Sequence, residues 1–149
     1  MAPEISIHLI LTGFSCDPDE ITTLTNIEPA KVWRTGDPIT PNSSSYVRKE
    51  NGWRVSSQID RTIASGEYIA FEEYVKSTLD QLQIGWQPLV DLCKRYDAEL
   101  ACAIYLYFEG QSPAIHFDKE IIQRIAALNA EIDIDIYVLP NENEKETES

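Results

Sequence analysis

Apolar and polar residues alternate along three stretches of the chain, and this alternation predicts β-strands. From Ile5 to Leu11, within the first stretch Glu4–Thr12, every second residue is isoleucine or leucine. Leu100–Phe108 and Glu131–Val138 follow the same pattern. A period of two places successive side chains on opposite faces of a sheet, so each strand is expected to bury one face. The residues expected to point into the core from the last strand are Ile132, Ile134, Ile136 and Val138.

Between the strands, apolar residues recur three or four positions apart, which is the period of a helix buried on one face. Asp17 precedes the first such segment and Asp118 the last, and aspartate there caps the free amides of a first helical turn. Gly85 separates two further segments of this kind. The predicted helices are Pro18–Asn26, Phe71–Leu82, Trp86–Tyr96 and Lys119–Leu128.

The segment after the first helix contains two more predicted strands and a polar loop. Lys31–Thr35 is typical of a strand, and Pro38–Gly52 is a polar loop with three consecutive serines. The pair Asn51-Gly52 favours a two-residue turn. A hairpin between Tyr46–Glu50 and Trp53–Ser56 is therefore predicted.

The order of these elements predicts an α+β fold. At each end of the chain a strand leads to an aspartate-capped helix and then to another strand, so two β-α-β units are expected. Two such units form a ferredoxin-like two-layer sandwich, with the hairpin and the helical pair as insertions and both capped helices on one face of the sheet. One domain is expected over residues 1–140, followed by a disordered acidic tail over residues 141–149.

The net charge excludes some classes of partner. The 149 residues include 12 lysines and arginines and 25 aspartates and glutamates, which gives −13. The tail holds four glutamates and one lysine, so −10 lies on the remainder of the chain. A surface of this charge repels nucleic acids and anionic membranes. It suits a basic protein partner, although the favoured interpretation is that it simply keeps the protein soluble.

The remaining sequence signals favour no membrane span, metal, cofactor or catalytic motif. No apolar run approaches the ~18 residues of a transmembrane helix, and no basic region precedes the first one as in a secretory signal, so a cytoplasmic location is expected. Cys16, Cys93 and Cys102 lack the spacing of a zinc site and are expected to be structural thiols. No nucleophile elbow, phosphate loop or dinucleotide fingerprint is present, so no catalytic residue is assigned.

Several short motifs together resemble the bacterial domain-of-unknown-function family 4279. They are Ile21-Thr22-Thr23-Leu24, Pro29, Trp33-Arg34-Thr35-Gly36-Asp37 and Trp53 in the first half, and Leu128-Asn129-Ala130 with Asp133-Ile134-Asp135-Ile136-Tyr137 near the end. The resemblance covers nearly the whole chain apart from the tail, and its most specific element is the Gly36-Asp37 pair. It implies a bacterial origin and a small stand-alone domain, and it implies no activity.

Two surfaces carry the candidate binding residues. Asp37 either bonds amides of its own turn, which is the favoured interpretation, or forms a polar pocket with Arg34 and Arg54. The other surface is the sheet face opposite the core, where tyrosines would suit a protein interface unless the helical pair covers them as a second core. Arg34 and Arg54 are expected to pair there with aspartates of the last strand. The remaining residues placed on this face are His8, Tyr105, Tyr107, Asp133, Asp135 and Tyr137.

The leading functional hypothesis is a non-enzymatic protein-interaction module that uses this sheet face or the loop Pro38–Gly52. Its sharpest form is an acidic inhibitor or immunity-type protein of a basic partner such as a bacterial toxin. A second hypothesis is the binding of a small anionic ligand by Arg34, Arg48, Lys49 and Arg54. Enzyme activity ranks last. The sequence determines neither the identity of the partner nor the oligomeric state.

Overall fold

The architecture is a five-stranded mixed sheet with α-helices, seen in a computed structural model that describes residues 3–41, 45–58, 69–108, 110 and 112–140. The strands are β1 (Glu4–Thr12), β2 (Lys31–Trp33), β3 (Gly52–Ser56), β4 (Asp97–Tyr107) and β5 (Glu131–Leu139). The helices are α1 (Pro18–Thr25), α2 (Phe71–Gln81), α3 (Trp86–Arg95) and α4 (Lys119–Leu128), and a short 3-10 turn, Gln83–Gly85, joins α2 to α3. The predicted α+β class is confirmed.

The strands lie in the order β2-β3-β1-β4-β5. The central strand β1 pairs antiparallel with β3 and β4, and β2 pairs antiparallel with β3. In contrast, β4 and β5 are parallel, and α4 provides the crossover that parallel neighbours require. The three strands recognised by their alternation, β1, β4 and β5, therefore belong to one sheet.

Aspartate caps begin the first and last helices, as the sequence predicts. The Asp17 carboxylate accepts a hydrogen bond from the backbone amide two residues later at 2.9 Å, and Asp118 accepts one from the amide three residues later at 2.8 Å. Each of these helices ends at an asparagine in the left-handed conformation, Asn26 with φ 57° and Asn129 with φ 63°. Asparagine tolerates this conformation better than most residues, so local chemistry sets both ends of α1 and α4.

One face of the sheet and the helices share an apolar core. Each helix contributes buried side chains to the same cluster, among them Ile21 of α1, Val75 of α2, Leu89 of α3 and Ile121 of α4. They pack with the alternate residues of β1 and β4 that the period of two selects. The two capped helices therefore lie on the same face of the sheet, which confirms that prediction.

The segment before β3 pairs differently from the prediction. The predicted hairpin between Tyr46–Glu50 and Trp53–Ser56 is wrong, because β3 lies between β1 and β2 and forms a ladder with each. The segment Tyr46–Glu50 instead lies against the residues around Gly36. The Gly36 amide donates a hydrogen bond to the Arg48 carbonyl at 2.8 Å. Two ladders and a buried face give β3 more backbone bonds and more apolar burial than a two-stranded hairpin would.

The two predicted β-α-β units are not equivalent in the sheet. In the first unit, β3 separates β1 from β2, whereas β4 and β5 of the second unit are direct neighbours. The helical pair α2 and α3 joins β3 to β4 and packs in the same layer as α1 and α4. It is therefore part of the main helical layer.

The strand β5 is more exposed than its alternation predicts. Ile134 packs against the core, but Ile132, Ile136 and Val138 are 45%, 53% and 65% exposed. The reason is position: β5 is the last strand of the sheet, and the helices pack over β1 and β4. The face of these side chains was predicted correctly, and their burial was not.

Parts of the predicted organisation lie outside the described residues. The tail over residues 141–149 is one such part, and residues 42–44 of the loop Pro38–Gly52 are another. Within the ranges that the structure describes, no helix combines the length and the hydrophobicity needed to cross a membrane.

Candidate functional site

The sheet face opposite the helices brings most of the candidate residues together. Paired residues of neighbouring strands point to the same face, so they form rows across the sheet. The rows are Ser56-His8-Ala101-Asp133, Ser6-Ala103-Asp135 and Glu4-Tyr105-Tyr137. The candidates that share this face are His8, Arg54, Tyr105, Tyr107, Asp133, Asp135 and Tyr137. The helical pair packs on the other face and does not cover them.

Two serine hydroxyls hold His8 within this face. The Nε2 atom of His8 lies 2.8 Å from Ser6 Oγ, and its Nδ1 atom lies 2.7 Å from Ser56 Oγ. Burial lowers the pKa of His8, and the nearby charge of Arg54 lowers it further. A histidine that acts as a base needs its cationic form stabilised, which Arg54 opposes. The three side chains therefore resemble a neutral hydrogen-bonded cluster more than a serine–histidine catalytic pair.

An acidic cleft opens at one end of the face, where β1 ends and β4 and β5 begin. Its volume of about 390 Å³ is at the small end of the roughly 300–1,000 Å³ typical of ligand sites. Four carboxylates line it, those of Glu50, Asp97, Glu99 and Glu131. None of them forms an ion pair with another residue in the described part of the chain. The other lining residues are Ile10, Thr12, Tyr96, Ala98 and Asn129.

Glu99 shows the electrostatic character of this cleft. It lies directly opposite Glu131 in the parallel register of β4 and β5. Partial burial raises the pKa of Glu99, and the carboxylates of Asp133, Glu131 and Asp135 raise it further. Repulsion among these like charges disfavours the ionised form and favours a cation placed among them.

The opposite half of the same face is basic. Lys31 and Arg54 occupy β2 and β3 in the row that contains Glu99. The guanidinium carbon of Arg48 lies 4.4 Å from the centroid of the Trp33 ring. Burial lowers the pKa of Arg54, the charge of Arg48 lowers it further, and the buried Nε of Arg54 has no hydrogen-bond partner among the described residues. The face thus carries opposite charges on its two halves.

The Gly36-Asp37 turn lies at the opposite edge of the sheet from β5. The Asp37 carboxylate accepts a hydrogen bond from the Arg34 amide at 2.8 Å, which confirms the predicted bond within the turn. Gly36 has φ 92°, a conformation that favours glycine. The side chain of Asn51 fixes the turn from outside, accepting from the Thr35 amide at 2.8 Å and donating to the Cys16 carbonyl at 2.9 Å.

Arg34 is bound to the start of α1. Its guanidinium donates two hydrogen bonds to the Asp17 carboxylate, at 2.8 and 3.0 Å, and lies 3.3 Å from Asp19. These bonds raise the pKa of Arg34 and lower the pKa of Asp17. The predicted pairing of Arg34 and Arg54 with Asp133 or Asp135 is wrong. The strands β2 and β5 are opposite edges of the sheet, and β1 and β4 separate β3 from β5. Arg34 does not join the other candidates on the sheet face.

A stacked pair of tyrosines lies at the other end of the face from the cleft. The rings of Tyr105 and Tyr137 are 5.1 Å apart between centroids and inclined by 17°. Beside them, the Tyr107 hydroxyl donates to Glu4 Oε1 at 3.2 Å. Tyr137 is 46% exposed. A tyrosine with an accessible ring and a polar tip is the kind of residue that protein interfaces favour.

The cysteines are free thiols in positions that suppress reactivity. Cys93 and Cys102 are buried, and burial raises the pKa of each to about 12. Burial also raises the pKa of Cys16. Because the thiolate is the reactive form, these positions fit structural thiols. Among the residues that the structure describes, no histidine, cysteine, aspartate and glutamate side chains form a group that could hold a metal ion.

Sequence reasoning missed the residues of the acidic cleft. It placed Asp133 and Asp135 on the outer face but did not single out Glu99 and Glu131. Each of these glutamates lies at or near the start of a predicted strand, and that position was the available signal. The parallel pairing of β4 with β5 brings them together, and alternation within one strand contains no information about that pairing.

Comparison with known proteins agrees with the resemblance found in the motifs. The model of the family described as Domain of unknown function (DUF4279) matches residues 3–139, which is nearly the whole chain. No curated protein and no solved structure matches the chain. The chain therefore belongs to the DUF4279 family.

Proposed function

We propose that this domain is a non-enzymatic protein-binding module whose acidic cleft receives a lysine or arginine side chain of a basic partner. The observation that carries the proposal is the group of four cleft carboxylates that form no ion pair with other described residues. Burial raises the pKa of Glu99 most, and repulsion from neighbouring carboxylates raises it further. A cation from outside would relieve that repulsion. At about 390 Å³ the cleft is large enough to admit one long side chain.

The rest of the face provides area around that anchor. Asp133 and Asp135 extend the negative charge from the cleft along β5, and the stacked rings of Tyr105 and Tyr137 lie beyond them. A partner with a basic patch and an apolar margin would match this arrangement. The net charge of −13 would also accelerate its approach by long-range attraction. An acidic inhibitor that covers a basic surface needs no catalytic residue of its own.

A finer description of the fold belongs to the same proposal. The order β2-β3-β1-β4, with antiparallel neighbours throughout, supports a ferredoxin-like unit built from β1 to β4. In this description α4 and β5 are an addition at one edge of that unit. The ferredoxin-like unit therefore differs from the predicted one, which combined the β-α-β units with aspartate-capped helices at the two ends of the chain. The added strand contributes Glu131 to the cleft and Tyr137 to the tyrosine pair.

The proposal predicts salt-sensitive binding that depends on the cleft. The full chain is titrated with a lysine homopeptide at low and high salt. The association rate should fall about tenfold or more as the Debye length decreases from about 30 Å to about 3 Å. The double variant Glu99→Gln/Glu131→Gln should bind more weakly than the unmodified chain, because two of the four cleft charges are gone.

A matched control separates the cleft from total charge. The double variant Glu28→Gln/Glu120→Gln removes two exposed carboxylates outside the cleft and changes the net charge by the same amount. If both double variants weaken binding equally, the peptide responds to overall charge and the cleft has no special role. The proposal would also be contradicted if both double variants bound as tightly as the unmodified chain, or if the association rate did not depend on salt concentration.

A second candidate function is the binding of a small anion between Arg48 and Arg54. The observation that favours it is the buried, unpartnered Nε of Arg54 beside the charge of Arg48. Lys49 is exposed nearby in sequence, whereas Arg34 is already bound to Asp17. A thermal-shift titration with inorganic phosphate tests it: stabilisation of the unmodified chain should disappear in Arg54→Gln, and no stabilisation would exclude phosphate as the anion.

A further inference from the structure

The outer edge of β5 presents backbone groups that no other described strand pairs with. The Phe108 amide donates to the Leu139 carbonyl at 2.9 Å, so the peptide groups of Leu139 face β4. The direction of these groups alternates along a strand. The amides and carbonyls at even-numbered positions from 132 to 138 therefore point away from the sheet. Among the strands that the structure describes, none lies beyond β5 to pair with them.

The two faces of this edge differ in chemistry. Towards the helical layer, the exposed side chains of Ile132, Ile136 and Val138 form an apolar stripe. Towards the outer face, Asp133 and Asp135 alternate with them and continue the acidic side of the cleft. An exposed strand edge with an apolar face is a ready template for another strand.

We propose that the β5 edge binds an extended segment of the basic partner as an added strand. The segment would alternate apolar residues, which lie beside the exposed isoleucines and valine, with lysine or arginine beside Asp133 and Asp135. Backbone bonds would provide affinity and the alternation would provide specificity. This inference rests on the proposed function, since it concerns how the same basic partner docks.

Charge argues against a second copy of this chain on the same edge. Pairing two β5 strands would bring the aspartates of both copies to one face, where like charges repel. The sequence that follows β5 adds four glutamates and one lysine, which increases the repulsion. A basic segment meets attraction at each of these positions.

Hydrogen exchange of the full chain tests the inference directly. The probe is a seven-residue peptide that alternates lysine and valine, compared with an isomer in which four lysines precede three valines. We expect the even-numbered amides from 132 to 138 to exchange rapidly in the free protein and slowly with the alternating peptide. The block isomer has the same charge and composition but lacks the alternation. It should therefore protect these amides much less and bind about tenfold more weakly.

Two variants at one position connect the binding to the edge. Ile136→Pro removes an outward-facing amide, which an edge strand tolerates, and Ile136→Lys adds a positive charge to the apolar stripe. Each should weaken the alternating peptide about tenfold or more and affect the block isomer much less. Circular dichroism verifies the fold of both variants. If proline disturbs the strand, Ile136→Lys still tests the inference, because it retains every backbone amide.

The outcomes distinguish this inference from the proposed function. Equal binding of the two peptides, with rapid exchange at the edge and loss in Glu99→Gln/Glu131→Gln, would overturn the added strand and keep the acidic cleft. Binding of neither peptide at low salt would overturn both. Slow exchange of the edge amides in the free protein, together with a dimer by sedimentation, would show that a second copy occupies the edge and would also overturn the inference.

Discussion

Replacing Glu99 with glutamine should stabilise this protein. Glu99 and Glu131 lie directly opposite each other in β4 and β5, and like charges opposite one another across strands destabilise a sheet by roughly 0.2–1 kcal/mol. Glutamine keeps the shape and removes the charge. For a domain of this size a change of 1 kcal/mol moves the melting temperature by about 2–4 °C, so we expect an increase of up to about 4 °C near neutral pH.

The gain in stability from Glu99→Gln should decrease as the pH falls. The folded-state pKa of Glu99 is raised above its ordinary value of 4.5, because burial and neighbouring carboxylates disfavour its charge. The charge therefore reduces stability above the folded-state pKa, and this cost disappears as pH falls towards 4.5. The difference between Glu99→Gln and the unmodified chain should be largest near neutral pH, decrease on acidification and decrease with added salt.

The assay is urea denaturation at several pH values, with Glu28→Gln as a control for an exposed glutamate away from the cleft, which should change stability by less than about 0.5 kcal/mol. Glu131→Gln should also stabilise, and the double variant should gain less than the sum because both changes remove the same repulsion. A lower stability of Glu99→Gln at neutral pH would refute the reasoning, since it would mean that this carboxylate makes a favourable contact.

Three further substitutions test close packing contacts and a turn that stabilise the fold. Gly85→Ala should destabilise by about 1–3 kcal/mol or more in urea denaturation, because a Cβ there would collide with the Thr25 backbone carbonyl of α1, and an unchanged midpoint would contradict that close approach. Gly52→Ala should displace the Trp33 ring that covers it and change tryptophan fluorescence, whereas an unaltered spectrum would argue against this packing. Asp37→Asn should cost about 1 kcal/mol by weakening a charged bond within its turn, and unchanged melting together with lost ligand binding would make the turn a site instead.

Local chemistry made part of the fold predictable. The alternation in β1 and β4 gives the correct buried face, because side-chain direction in a strand is a property of the backbone alone. Asp17 and Asp118 begin α1 and α4 for an equally local reason, since each cap binds an amide two or three residues away. The bond of Asp37 within its own turn belongs to the same class.

Pairing partners could not be predicted in the same way. The Asn51-Gly52 signal for a hairpin is local, and it was overridden because β3 gains two ladders and buries Trp53 against the core. Arg34 binds Asp17, 17 residues away in sequence, where a cross-strand partner was expected. Each outcome depends on contacts between distant segments, whose formation costs loop-closure entropy that no short pattern reveals.

The sequence by itself determined the outer face of the sheet, with His8, the tyrosines and the aspartates of β5 on it, because a period of two fixes the side of each residue. Only the tertiary structure decided that β5 is an edge and that Glu99 stands opposite Glu131. Both depend on the parallel docking of β5 beside β4. The same docking leaves Ile132 and Ile136 exposed, since burial requires a covering helix and the helical layer lies over the central strands.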